Sequence, residues 1–279
     1  MNLADNKTPG PIGVFDSGYG GLTILDGIRS MMPEYDYIYL GDNARTPYGT
    51  RSFEVVYEFT LQAVKRLFEM GCHLIILGCN TASAKALRSI QQLDLPHLAP
   101  ERRVLGVIRP TVEALGSFTR NGHVGIFGTP GTIRSNSYNL EIAKLYPKFV
   151  TTGQECPLWV PLVENKEFNS PGADYFVKKY IANLLERDAE IDTVLLGCTH
   201  YPLLLNKIRE HMPPNVKIVT QGNIVAESLR NYIDRHPEME QRISKHGSIK
   251  YFTSENAEKF SEMGSVFLSQ QIQAQSISL

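Results

Sequence analysis

The chain has 279 residues, of which 42% are hydrophobic and 20% charged, so it can bury the core of one large α/β unit or two ordinary domains. Its net charge of -1 provides no field that would attract nucleic acid or an anionic membrane. The start, Met1–Pro11, lacks the regions of a signal peptide, and no apolar run reaches the length of a membrane span. We therefore expect a cytoplasmic protein whose four cysteines are reduced, because they form no CxxC pair and no disulfide framework.

Short apolar runs alternate along the chain with longer amphipathic stretches, a pattern that predicts parallel sheets covered by helices. The predicted strands are Ile12–Phe15, Tyr37–Leu40, His73–Leu77, Val104–Val107, Val124–Phe127, Thr193–Leu196, Val216–Val219 and Ser248–Phe252. The predicted helices are Gly21–Met31, Phe53–Met70, Ala84–Gln91, Thr111–Thr119, Ile133–Leu145, Pro171–Arg187, Leu203–His211, Ile224–His236 and Ser254–Ser269. The polar stretch Pro237–Gly247 is interpreted as a surface loop.

Two sequence features recur in the same order. I-G-V-F-D-S-G (12–18) is similar to V-G-I-F-G-T-P (124–130), and L-I-I-L-G-C-N-T (74–81) is similar to T-V-L-L-G-C-T-H (193–200). Chance recurrence of strand-like strings is a serious alternative explanation for the first pair, but it is the weaker explanation for the G-C pair. The pattern favours two related α/β halves, with a ligand bound where their strand ends face each other.

Cys79 and Cys198 follow Gly78 and Gly197 at the ends of predicted strands, and polar hydroxyl-bearing residues come next. We expect each cysteine at the start of a helix, where the positive end of the helix dipole stabilises a thiolate and backbone N–H groups bind a carboxylate. Cys72 and Cys156, in contrast, are interpreted as small buried hydrophobic residues.

A matched pair of thiols suits racemisation. One thiolate removes the proton from one face of the α-carbon, and a thiol on the opposite face returns a proton. The ordinary thiol pKa of about 8.5 leaves both forms accessible near neutral pH. The sequence contains no convincing motif for pyridoxal phosphate, a nucleotide or a metal, so no cofactor is expected.

Six strings together closely resemble the glutamate racemase family and cover most of the chain. They are F-D-S-G-Y-G-G-L (15–22), T-P-Y-G (46–49), G-C-N-T-A-S-A (78–84), G-T-P-G-T-I-R-S (128–135), P-L-V-E (161–164) and L-G-C-T-H-Y-P-L-L (196–204). The resemblance implies two pseudo-symmetric α/β domains with mostly parallel sheets and the active site in the interdomain cleft. The domains are predicted as 1–107 plus 224–279, and 108–223. It also implies interconversion of L- and D-glutamate for peptidoglycan, and a homodimer.

The resemblance also assigns roles residue by residue. It implies that Cys79 takes the proton from D-glutamate and that Cys198 acts on L-glutamate. Asp16 is implied to hold the substrate ammonium group or to assist Cys79, and Glu164 and His200 are implied to assist Cys198. The substrate contacts carried over from the family are Asp16, Ser17, Tyr48, Gly49, Asn80, Thr81, Thr129, Thr132, Thr199 and His200.

Some alternatives stay open at this point. Asp16 is also suited to capping a helix, and Glu164 to a solvated surface position. Gln221 and Gly222 stand where the family often carries an acidic pair, which puts any role of that pair in doubt. The competing functions are a sister racemase acting on aspartate or a hydantoin, a thiol–metal protein using Cys79, Cys198 and His200, and a binding protein without turnover.

Overall fold

A computed structural model describes residues 8–279, and the first seven residues of the Met1–Pro11 start lie outside that range. The structure is α/β, as predicted, with ten strands in two sheets. The strands are β1 Ile12–Asp16, β2 Tyr37–Gly41, β3 Leu74–Leu77, β4 Arg103–Gly106, β5 His123–Gly128, β6 Val150–Glu155, β7 Thr193–Gly197, β8 Lys217–Val219, β9 Ile249–Thr253 and β10 Ala274–Ser276.

The two sheets have the same internal order. The first is β10-β9-β2-β1-β3-β4 and the second is β6-β5-β7-β8, so β2-β1-β3-β4 corresponds to β6-β5-β7-β8. The pairings among these strands are parallel. In both sheets the strand that ends in G-C lies beside the strand of the first repeated string. The repeated strings therefore occupy equivalent positions in two related halves.

The helices cover the sheets and contribute most of the apolar packing. They are α1 Leu22–Met31, α2 Phe53–Glu69, α3 Asn80–Lys85, α4 Leu87–Ser89, α5 Leu95–Leu98, α6 Ile108–Leu115, α7 Pro130–Arg134, α8 Ser137–Leu145, α9 Trp159–Glu164, α10 Pro171–Arg187, α11 Leu205–His211, α12 Gly222–Asp234, α13 Pro237–Glu240 and α14 Ala257–Leu268. A cluster of buried apolar side chains extends from the first sheet through α1 and α12 to the helices of the second half. Within residues 8–279, no helix has both the length and the apolar character needed to span a membrane.

Several predicted helices were wrong in their bounds. The helix predicted over 84–91 begins at Asn80 and is divided into α3, α4 and a π-helical turn, Ile90–Asp94. The one predicted over 133–145 is two helices, because Asn136 adopts a left-handed conformation with φ of 58°. The helix predicted over 111–119 is α6, which begins and ends earlier, and the one over 203–211 starts with a 3₁₀ turn, Tyr201–Leu204.

Some elements of the structure were not predicted from the sequence. The strands β6 and β10 lie at sheet edges and are largely half-exposed, so they lack the continuous apolar run of a buried strand. The short helix α9 was not predicted because it contains Pro161, and proline is unfavourable inside a helix. The segment predicted as a surface loop over 237–247 contains α13 and the buried side chain of Ile243.

Candidate active site

Both G-C turns open into one cleft between the two halves. The cavity there is lined by Ser17, Thr46, Pro47, Tyr48, Gly49, Thr50, Cys79, Asn80, Thr81, Thr129, Pro130, Cys156, Pro157, Val160, Pro161, Cys198, Thr199 and His200. Ten of the predicted site residues are in this lining. The other three, Asp16, Thr132 and Glu164, lie directly behind it, where they contact lining residues.

The glycines before the two cysteines allow close packing of the strand ends. A Cβ on Gly78 would lie 3.3 Å from the carbonyl oxygen of Phe15, and one on Gly197 would lie 2.9 Å from that of Phe127. Side chains at these positions would push β3 away from β1 and β7 away from β5. The G-C sequence thus places each thiol at the end of a tightly packed pair of strands.

Cys79 is the N-cap of α3, as predicted. Its Sγ accepts a hydrogen bond from the backbone N–H of Ala82 at 3.4 Å and lies 3.5 Å from Ser17 Oγ. Burial raises the pKa of the Cys79 thiol to about 12, and the Asp16 carboxylate adds to that rise. The helix N-terminus was expected to stabilise the thiolate of this cysteine, and the hydrogen bond from Ala82 N–H acts in that direction, but desolvation outweighs it.

Cys198 has a different setting. It follows β7 but does not cap a helix, since the next residues form a turn and then the 3₁₀ turn capped by His200. Its Sγ lies 3.9 Å from His200 Nδ1, and His200 Nε2 lies 3.0 Å from Glu164 Oε1. Burial opposes a charge on His200, but hydrogen bonds with Cys198 and Glu164 prevail and raise its pKa to about 10. An imidazolium therefore faces the Cys198 sulfur.

Asp16 connects the two halves below the cavity. Its Oδ1 accepts a hydrogen bond from Gly18 N–H at 2.9 Å, and its Oδ2 accepts one from Thr199 Oγ1 at 3.3 Å. Burial raises the pKa of Asp16, although His200 and these hydrogen bonds oppose the rise. The alternative that Asp16 caps α1 was wrong, because that helix is capped by Gly21 without a side-chain hydrogen bond.

The loop that carries Tyr48 and Gly49 closes against the second half. The Tyr48 hydroxyl is buried and donates to Asp42 Oδ2 at 2.5 Å, which leaves the ring facing the cavity. A Cβ on Gly49 would lie 2.8 Å from Thr129 Cβ, so only glycine permits this approach. This loop contains the 3₁₀ turn Tyr48–Thr50.

Three threonines join the halves on the other side of Cys79. Thr81 Oγ1 lies 3.0 Å from Thr129 Oγ1 and 3.2 Å from Thr132 Oγ1, and the latter two oxygens are 3.1 Å apart. Thr129 also caps α7 by accepting from Thr132 N–H. Thr81 and Thr129 reach the cavity lining, whereas Thr132 lies behind them and contacts the cavity only through its neighbours.

Sequence reasoning missed other residues of the cleft. Cys156, interpreted as an ordinary buried residue, is buried and also lines the cavity with Pro157 and Pro161. Gln221, which seemed only a departure from the family pattern, lies behind the lining and accepts a hydrogen bond from Asn80. No local motif signals these positions, because the packing of distant segments brings Cys156 to the cleft and Gln221 to Asn80.

The thiol–metal alternative lacks a ligand set at this site. Within residues 8–279 the cluster that brings three possible ligand atoms within 4.8 Å of one another is Asp174, Glu210 and His211, which are not in the cavity lining. Neither Cys79 nor Cys198 belongs to it. The cleft therefore presents two thiols and an imidazolium as acid–base groups rather than as a cage of three ligands.

The chain is similar to known racemases over most of its length. A family model described as Asp/Glu/Hydantoin racemase matches residues 23–229. A glutamate racemase of Ruegeria sp. is 38% identical over 94% of this chain and 97% of its own length. The crystal structure of the glutamate racemase isoform RacE1 from Bacillus anthracis has a TM-score of 0.88 and 32% identity, covering 97% of this chain and 98% of that one. That of the Francisella tularensis glutamate racemase in complex with D-glutamate has a TM-score of 0.85 and 31% identity, covering 96% and 97%.

The chain belongs to the aspartate/glutamate/hydantoin racemase family. Within that family it groups with the glutamate racemases, which are isomerases, as the six sequence motifs predicted. The fold with two parallel sheets is the one seen in their solved structures.

Proposed function

We propose that the chain racemises glutamate by proton transfer between Cys79 and Cys198, and that it supplies D-glutamate for peptidoglycan. The observation that carries the proposal is the position of the two thiols, which come from equivalent strand ends of the two halves and line one cavity. Their surroundings differ in charge, because the Asp16 carboxylate acts on Cys79 while the His200 imidazolium lies beside Cys198.

In the direction from L- to D-glutamate, Cys198 is the base and Cys79 the acid, as the family resemblance implies. The Cys198 thiolate, paired with the His200 imidazolium, removes the α-proton and becomes a thiol, leaving a carbanion at the α-carbon. The Cys79 thiol then donates its proton to the opposite face and becomes a thiolate. The reverse direction starts from that state, so the atoms and charges balance in both directions.

Hydrogen-bond donors line the cavity, and the Asp16 carboxylate lies directly behind it. We assign Asp16 to the substrate ammonium group, because its carboxylate is the one whose charge acts on the Cys79 thiol. Contact with that ammonium would also offset the rise in the pKa of Cys79 that Asp16 causes. Ser17, Tyr48, Gly49, Asn80, Thr81, Thr129, Thr132 and Thr199 are assigned to binding the two substrate carboxylates, directly or through one another. Their fixed dipoles would stabilise the charge that develops on the α-carboxylate as the proton leaves.

The organisation of the protein is also part of the proposal. We assign residues 1–107 plus 224–279 to the first domain and 108–223 to the second, with the chain returning to the first domain at α12. We expect a cytoplasmic homodimer, in keeping with the implied role. Light scattering during size-exclusion chromatography tests the dimer, and an elution mass of one chain, 31.3 kDa, would refute it.

The experiment that tests the function is circular dichroism in heavy water with L-glutamate and then D-glutamate. The wild type should bring both signals to zero and incorporate deuterium at the α-carbon. Cys79→Ala and Cys198→Ala should each lose at least about 10²-fold in rate, the lower range for removal of an acid–base group. Cys198→Ala should still exchange the α-proton of D-glutamate. Cys72→Ala, which removes a buried thiol outside the cavity, is the matched control.

Each result has a definite meaning. Racemisation at the wild-type rate by Cys79→Ala or Cys198→Ala would refute the two-thiol mechanism. Turnover of aspartate but not of glutamate would mean that aspartate is the substrate. Binding of glutamate without loss of the optical signal would favour the alternative of a binding protein without turnover.

A further inference from the structure

We propose that Gln221 is a positioning residue that fixes the orientation of the Asn80 amide in the cleft. The inference rests on the proposed role of Asn80 as a substrate contact. Gln221 is the N-cap of α12, yet its side chain makes no cap hydrogen bond and is buried. Its amide instead points toward the residue that follows Cys79.

The orientation of the Gln221 amide is set by the hydrogen bonds of Thr111. The Thr111 hydroxyl donates its one proton to the carbonyl oxygen of Val107 at 2.7 Å. Its oxygen must therefore accept from Gln221 Nε2, which lies 2.9 Å away. With the NH₂ group committed there, the Gln221 amide presents its oxygen to Asn80, and Oε1 accepts from Asn80 Nδ2 at 2.7 Å.

Tyr138 closes the network into a ring of three side chains. Its hydroxyl donates to Asn80 Oδ1 at 2.5 Å and accepts from Gln221 Nε2 at 3.0 Å. Asn80 thus has its oxygen and one N–H committed within the ring, while the residue lines the cavity. The second N–H of Nδ2 is the donor left for a ligand, and because the ring fixes the orientation of the amide, Asn80 keeps this donor for the cleft that it lines.

This polarity matches the proposed substrate. A donor at Asn80 favours a carboxylate, whereas a flipped amide would present its oxygen and repel one. Because Asn80 is adjacent to Cys79, the same constraint places the bound carboxylate relative to the thiol. Gln221 comes from a segment 141 residues further along the chain, so its contact also depends on how the two halves are packed.

The direct test replaces Gln221 by leucine, which keeps a similar volume and removes all its hydrogen bonds. We expect KM for glutamate to rise about tenfold in Gln221→Leu, with a smaller change in kcat, because the Asn80 amide is then free to turn. Gln91→Leu is the matched control. It removes the hydrogen bond from Gln91 Nε2 to the carbonyl oxygen of Val104, outside the cavity, and should leave KM unchanged.

A double-mutant cycle separates positioning from a general structural role. If Gln221 acts through Asn80, Gln221→Leu should raise KM in the wild type but not further in Asn80→Ala. An equal increase in both backgrounds would overturn the inference. If Asn80→Ala raises KM and Gln221→Leu does not, the inference fails while the proposed site stands. If Asn80→Ala itself leaves KM unchanged, Asn80 is not a substrate contact and both assignments fail, although the thiol experiments remain independent.

Gln221→Glu keeps the test decisive if the leucine variant does not fold. When protonated, the introduced carboxyl offers one acceptor to Asn80 and one donor to Thr111 or Tyr138, like the amide it replaces. When ionised it offers no donor. The ratio of the KM of Gln221→Glu to that of the wild type should therefore fall as the pH is lowered. A ratio that does not change with pH would overturn the inference.

Discussion

His200 and Glu164 form a largely buried ion pair behind Cys198, with 3.0 Å between His200 Nε2 and Glu164 Oε1. The two residues are 36 positions apart in the chain and come from α9 and from the turn after β7. The pair gives Cys198 a cationic neighbour, while Cys79 faces the Asp16 carboxylate instead. This difference makes the two pseudo-symmetric thiols chemically inequivalent.

Removing the charge of Glu164 should shift the pH profile of the L-glutamate reaction. Glu164 helps to raise the pKa of His200 to about 10, so Glu164→Gln should lower that pKa. His200 would then lose its proton at a lower pH, and Cys198 would lose its cationic neighbour there. We expect the alkaline limb of kcat for L-glutamate to move to lower pH, measured by circular dichroism across the pH range.

The exposed Glu167, which belongs to the same segment, provides the control for this prediction. Glu167→Gln should leave the profile unchanged. An alkaline limb in Glu164→Gln that coincides with that of the wild type would mean that the ion pair does not influence Cys198.

Removing the charge of Asp16 should make Cys79 more reactive while weakening substrate binding. The carboxylate adds to the rise in the pKa of Cys79, so Asp16→Asn should lower that pKa and increase the thiolate fraction at pH 8 to 9. Alkylation of Cys79 by iodoacetamide, followed by mass spectrometry of its peptide, should be faster at each pH. KM for both enantiomers should rise at the same time. Asp26→Asn, at an exposed position on α1, should change neither quantity, and slower alkylation in Asp16→Asn would contradict the argument.

A methyl group at Gly20 should disturb the second thiol. A Cβ there would lie 2.2 Å from Thr199 Oγ1 and 2.4 Å from His200 Nδ1, distances at which the neighbours must move. We expect Gly20→Ala to lower kcat/KM by about 10²-fold, since displacements near 1 Å have effects of that size. The control is Gly172→Ala, whose new Cβ would have its nearest neighbour at 3.4 Å. Equal activity of the two variants would show that the site tolerates the shift.

Asp36 should make stability depend on pH at a position far from the cleft. Although burial opposes its charge, hydrogen bonds from Ser244, Ser248 and His246 hold the pKa of Asp36 well below its ordinary value. A lowered folded-state pKa contributes stability above the unfolded value of about 3.9, and this contribution is lost as the pH falls below it. Asp36→Asn should therefore reduce the free energy of unfolding by about 1–3 kcal/mol at pH 7.

Urea denaturation at pH 7, 5 and 3 measures this effect, and the difference between wild type and variant should shrink toward pH 3. Asp234→Asn, at an exposed position at the end of α12, should show little difference at any of the three values. A difference for Asp36→Asn that is constant across the range would contradict the lowered pKa.

Much of the architecture was accessible from local patterns. The buried strands β1, β3, β5 and β7 were predicted because each consists mainly of a run of apolar residues, which is typical of a buried parallel strand. The edge strand β6 was not found, since V-T-T-G-Q-E has no such run. The predicted helix bounds were wrong where tertiary packing or backbone conformation interrupts a continuous helical periodicity, as at Asn136.

The sequence by itself determined the two G-C turns, the polar residues that follow each cysteine and the repeat that relates the halves, because these properties lie within a few residues of chain. Only the tertiary structure decided that Glu164 lies behind His200, that Asp16 reaches Thr199 and that Gln221 holds Asn80. The charges around the two thiols depend on those contacts, and so does the pKa of Cys79, which the Asp16 carboxylate helps to raise. Desolvation and hydrogen bonding act over a few ångströms in space, whatever the separation along the chain.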